Sequence, residues 1–169
     1  MAEVSVEFTS PAGERLAFDW PLDLLDAFEG SEGDTIWALE GELDWDEIEV
    51  VRVVTARFDD GRCLALAAIH PSGAEGHGDD AIAGVLVSDG EPEALAEALM
   101  STEYGADGEI RRIGLELYQE REGLPLRVAG DVTSVSERVD GDVVHKRIAL
   151  AARAGSPGVG VLDVLTADA

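Results

Sequence analysis

Short apolar runs separated by turn dipeptides recur along most of the chain, and this spacing restricts it to antiparallel β structure. The strongest case is Ile48–Phe58, then Asp59-Asp60-Gly61, then Arg62–His70. Asp-Gly between two β-branched or aliphatic runs is among the best local hairpin signals, because glycine accepts the positive φ that a tight turn requires. Val4–Thr9 and Arg15–Trp20 form an earlier pair around Ser10-Pro11-Ala12-Gly13-Glu14. Thr35–Leu43 and Ala81–Ser88 are further candidate strands. The C-terminal third reads as a meander of Glu109–Gln119, Leu124–Arg138, Asp142–Arg153 and Val159–Thr166, cut by Arg121-Glu122-Gly123, Asp140-Gly141 and Gly155-Ser156-Pro157-Gly158. Two segments are read differently. Leu22–Phe28 is expected to be a short helix. Glu91–Met100, with Pro92 at a helix-start position, has helical propensity, against a strand reading of Leu99–Tyr104.

Alternation assigns faces within these runs. Ile113, Leu115 and Leu117 share one face, with Arg112, Gly114, Glu116 and Tyr118 on the other. Val144, Ile148, Leu150 and Ala152 share a face interrupted by Lys146, while His145, Arg147 and Arg153 project oppositely, His145 as a side chain expected to be solvated. Two runs are apolar on both faces: Ile48, Val50, Val54 and Phe58 against Val51 and Val53, then Cys63, Ala65, Ala67 and Ile69 against Leu64, Leu66 and Ala68. A strand buried on both sides needs a cover on its second face. A helix, a ligand inside a barrel or a partner subunit would provide one, so a homodimer through sheet faces is an expectation. About nine or ten antiparallel strands must close or stack to hide their edges. The fold class is therefore mainly β, a β-barrel or a β-sandwich, with one or two short helices. With 169 residues, 46% of them hydrophobic, and no long linker or internal repeat, residues 1–169 read as a single β domain.

Charge excludes several functions. Thirty-six acidic residues against 12 basic ones leave a net charge of −24. Nucleic-acid binding needs a basic footprint to displace counterions from phosphates, and an anionic membrane surface would repel this chain. No run is long and apolar enough for a spanning helix, and the N-terminal Met1–Glu7 has neither the basic nor the apolar region of a signal peptide. One cysteine, Cys63, allows no internal disulfide, so a cytoplasmic location is the simplest expectation. The acidity is uneven: residues 1–60 hold 17 acids and three bases, whereas residues 109–169 hold ten acids and eight bases. One lysine against eleven arginines fits either salt adaptation or a GC-rich genome.

The segment Ser101-Thr102-Glu103-Tyr104-Gly105-Ala106-Asp107-Gly108-Glu109-Ile110-Arg111-Arg112-Ile113-Gly114-Leu115-Glu116-Leu117-Tyr118 runs from a strand ending in Tyr through a Gly/Asp turn and an Arg pair into Gly-Leu-Glu-Leu-Tyr. This order resembles a stretch of the lipocalin-like sequences related to carotenoid 1,2-hydratases. The resemblance implies a lipocalin-like barrel and an apolar small molecule as ligand. Those proteins commonly have two barrel-like halves, of which this chain has the length of one. No catalytic residue can be matched, so none is transferred.

Candidate chemistry is sparse. Glu40 to Glu49 holds six carboxylates, Glu40, Glu42, Asp44, Asp46, Glu47 and Glu49, enough oxygens for a hard cation but without the spacing of an EF-hand loop. An acidic turn is the simpler reading. His70, His77, Asp79 and Asp80 are donors suited to Zn²⁺ or another transition metal, in a glycine-rich loop that fixes no geometry. Cys63 just inside a strand reads as a small buried hydrophobe, and no Gly-x-Ser-x-Gly elbow is present. No motif calls for a cofactor. The aromatic residues are more suggestive: Trp20, Trp37 and Trp45 all fall early in the chain, with Phe8, Phe18 and Phe28 nearby. Aromatics gathered at one end of a barrel line a ligand cavity or form a core layer. Phe18, Trp20 and Trp37, with Tyr118, are the candidate ligand-binding residues. The expected function is non-catalytic binding of an apolar small molecule. The alternatives are an interaction domain that dimerises through a sheet face, and a small enzyme using a carboxylate or the His/Asp loop.

Overall fold

A computed structural model describes residues 3–9, 15–21, 45–46, 48–73, 81–89, 91–119 and 124–167. Eleven strands run through them: β1 (Glu3–Thr9), β2 (Arg15–Pro21), β3 (Ile48–Phe58), β4 (Cys63–Pro71), β5 (Ala81–Ser88), β6 (Glu91–Ala94), β7 (Glu97–Tyr104), β8 (Ile110–Tyr118), β9 (Leu126–Asp140), β10 (Val143–Arg153) and β11 (Pro157–Ala167). There is no helix among the described residues, and none long and apolar enough to cross a membrane. The helical reading of Glu91–Met100 is overturned: the segment is β6 and the start of β7. Its pairing with two separate strands outweighs the local preference of its alanines and leucines. The expected helix at Leu22–Phe28 and strand at Thr35–Leu43 lie outside the described residues.

Turn chemistry explains the hairpins. At the β3–β4 turn the Phe58 amide donates to the Arg62 carbonyl (2.9 Å), and Gly61 takes φ 93°. Asp60 accepts from the Arg62 backbone N–H (3.1 Å) and from its Nε (2.8 Å), closing the turn with one side chain. That backbone hydrogen bond, foremost, holds the Asp60 carboxyl below its ordinary value.

Nine strands form one antiparallel sheet in the order β6-β5-β4-β3-β11-β10-β9-β8-β7, while β1 and β2 pair separately. Neighbours in the sheet are consecutive in sequence except where the last strand, β11, pairs with β3. β6 and β7, at the two ends of the order, belong to one bent segment. Between them the Leu95 amide donates to the Gly84 carbonyl of β5 and the Ala96 amide to the Tyr118 carbonyl of β8, both at 2.9 Å. The sheet thus curls into a barrel-like meander, which settles the choice between barrel and sandwich.

The concave side holds the core. Val54, Phe58, Leu64, Leu66, Leu86, Ile113, Leu115, Leu117, Ile148, Leu150 and Leu162 form one buried cluster, with Met100, Leu126 and Val132 packed against it. Each such side chain contributes about 1.5–3 kcal/mol by leaving water. The convex side divides in two. Over β3, β4, β5 and β11 it is also buried, through Val51, Val53, Ala65, Ala67, Ile69, Val85, Val161 and Leu165. These side chains are buried within the chain itself, and β1 lies nearest β5 and β4. The feature that motivated a sheet-face dimer is therefore met intramolecularly. Over β7, β8, β9 and the end of β10, the convex side is open to solvent.

Candidate functional site

The open convex side carries a groove, and the cross-strand register explains it. Ser101 pairs with Gly114, Gly114 with Ala129, and Ala129 with Arg153, making a row of small side chains that ends in a guanidinium. The adjoining row is Leu99, Glu116 and Arg127. On the other side lie Glu103, Arg112 and Asp131. A low row between two rows of long side chains is a trough. It forms a cavity of about 760 Å³ lined by Leu99, Met100, Ser101, Gly114, Leu115, Glu116, Arg127, Val128, Ala129, Arg153 and Gly155. Leu115 and Val128 belong to the buried core and Met100 packs against it. Alternation therefore leaves mainly their backbone to the floor.

Ion pairs set the walls. Asp131 accepts from Arg112 Nε on one oxygen and from Arg153 Nη1 on the other, each at 2.7 Å. These two bonds, Arg153 first, hold the Asp131 carboxyl below its ordinary value, and the bond to Asp131 raises Arg112. Arg127 Nε stands 3.6 Å from Glu116, beyond hydrogen-bond reach. The Tyr118 hydroxyl donates to Glu116 at 3.2 Å. Partial burial, and then the Glu116 charge, raise that hydroxyl above its ordinary value.

A second polar cluster is buried on the same convex side. His145 Nε2 lies 2.5 Å from Asp163 Oδ1, and Arg147 Nε donates to the same oxygen at 3.1 Å. His145 is 4% and Asp163 1% exposed, which corrects the expectation that His145 is solvated. The pairing arises because β10 and β11 set Arg147 opposite Asp163, with His145 two residues along β10 and diagonal to Asp163 on the same face. Asp163 Oδ2 and the nearby strand residue Thr55, through Oγ1, are buried without a hydrogen bond among the described residues.

Of the candidate ligand residues, Tyr118 is the one beside the groove among the described side chains. Tyr118 is half-buried beside it at the end of β8. Phe18 and Trp20 lie in β2, in register with Val6 and Val4 of β1. Trp37 lies outside the described residues. Of the metal candidates, His70 is the penultimate residue of β4 with Nε2 3.5 Å from Glu49 Oε2, while His77, Asp79 and Asp80 lie outside the described residues. No cluster of three or more metal-ligating side chains occurs among the described residues. Leu99, Ser101, Ala129 and Arg153 were not singled out from the sequence. The available signal was Gly114 within an otherwise regular strand, where a missing side chain marks a close approach or a hollow.

No protein-family model matches the chain, and no curated protein matches it. Among solved structures it is similar to the ywiB protein from Bacillus subtilis, with 13% identity over 71% of this chain and 92% of that one, and a TM-score of 0.32. At that score the likeness has no bearing on function.

Proposed function

We infer that this chain is a non-catalytic binding protein that takes a small molecule with an apolar body in the groove over β7, β8 and β9. The observation that carries this reading is the 760 Å³ cavity above the row Ser101, Gly114 and Ala129. Its volume falls within the roughly 300–1,000 Å³ of small-molecule sites. The concave side is occupied by the core cluster, which favours the convex groove as the place for a ligand. Leu99, 47% exposed at the groove edge, offers apolar contact. The resemblance of residues 101–118 to lipocalin-like sequences points the same way, since that stretch supplies two of the strands under the groove.

Fluorescence titration with phenylnaphthylamine, a neutral apolar probe, tests the reading. Ser101→Trp fills the trough from an exposed position. It is expected to weaken binding at least tenfold with the circular dichroism spectrum unchanged. Equal binding by the variant would place the probe elsewhere and refute the groove as the site.

A further inference from the structure

We propose that the groove selects organic anions, its ligand being an amphipathic molecule whose acidic group is held by Arg153 and Arg127 while its apolar body lies over Gly114 and Ala129 against Leu99. This rests on the reading of the groove as a binding site and adds the chemical class of what it binds.

The donors and acceptors in the groove are unequal. A guanidinium has five N–H donors. Arg153 commits Nη1 to Asp131 and is one of the residues lining the cavity. Arg127 is 79% exposed and stands beyond hydrogen-bond reach of Glu116. The acceptors are more fully engaged: Asp131 takes two arginines, one on each oxygen, and Glu116 takes the Tyr118 hydroxyl on Oε2 and faces Arg127 with Oε1. Asp131 also ties Arg153 to Arg112, so that the guanidinium is positioned before any ligand arrives. An incoming carboxylate, sulfonate or phosphate would meet surplus donors, and charge-assisted bonds to arginine are the strong ones.

The net charge of −24 opposes this, and distance decides between the two effects. At about 0.15 M salt the Debye length is about 8 Å, so remote carboxylates are largely screened. Guanidinium groups in direct contact with the ligand are not.

Two probes with the same aromatic body separate the outcomes: neutral phenylnaphthylamine and anionic anilinonaphthalene sulfonate, titrated against the full chain at about 0.15 M salt. The sulfonate is expected to bind roughly tenfold more tightly, as one charge-assisted hydrogen bond allows. Arg153→Gln and Arg127→Gln are each expected to narrow the ratio between the two probes' affinities towards one. Both arginines are at least half exposed, and circular dichroism of each variant checks the fold. If both probes bind equally and neither arginine variant alters the sulfonate, the anion class is overturned while the groove reading stands. If Ser101→Trp leaves both affinities unchanged, the groove reading and this proposal fall together.

Discussion

Asp131 and Asp163 are both carboxylates held by arginine on the convex side of the same sheet, and burial separates their consequences. Asp131 is exposed, so its pairs with Arg153 and Arg112 are screened and modest in stability. Their signature is pH dependence. A carboxyl whose folded value is depressed lends stability that is full above its unfolded value and is lost as pH falls through the folded value. The gap in urea midpoint between the wild type and Asp131→Asn is therefore expected at neutral pH and should close in the acid range below the ordinary value of 3.8; a pH-independent gap would contradict this. Asp163 is 1% exposed and faces Arg147 and His145 directly. Removing one partner of a buried charge pair strands the other, at about 3–5 kcal/mol. Asp163→Ala is expected to lose that much in urea unfolding, and a loss below about 1 kcal/mol would show that the cluster is not a stability element.

Among the elements, β11 and β3 approach most closely at Gly158, where a Cβ would collide with the Arg57 carbonyl oxygen and press on Phe58. This contact joins β11 to β3, so a side chain there would press the two strands apart. Gly158→Val is expected to cost about 1–3 kcal/mol by chemical denaturation, the scale of overpacking. Gly114→Ala tests a gentler case: its Cβ would lie 3.0 Å from the Ser101 hydroxyl, at the flexible end of an exposed side chain. The strand bounds themselves were legible. Ile48–Phe58 and Ala81–Ser88 appear with the same ends that turn chemistry assigned them, and the C-terminal meander differs by a few residues. Residues 91–104 were not legible in full, because their first half pairs with β5 and their second half with β8, a choice made by tertiary pairing rather than propensity.

For the whole molecule, a net charge of −24 on 169 residues means self-repulsion that salt screens. The melting temperature is expected to rise between low salt and about 1 M potassium chloride, where the Debye length falls to roughly 3 Å. A flat or falling response would mean that the acidic surface carries no electrostatic cost. The same charge makes the groove notable, since three arginines face it or its wall in a chain with only 12 basic residues.

By itself the sequence determined the strands and faces of Ile48–Phe58, Ala81–Ser88 and the C-terminal meander and the antiparallel pairing of neighbours, because glycine at turns and period-two alternation are local physics. It also determined the overall field, which is a sum over residues. Tertiary structure decided what lies beside what. Arg147 meets Asp163 only once β10 and β11 are in register, and an acid between Leu162 and Val164 was the sole local hint. Ser101, Gly114 and Ala129 are unremarkable small residues until three strands align them into a trough. Register depends on long-range closure of the sheet, and a groove is a property of register.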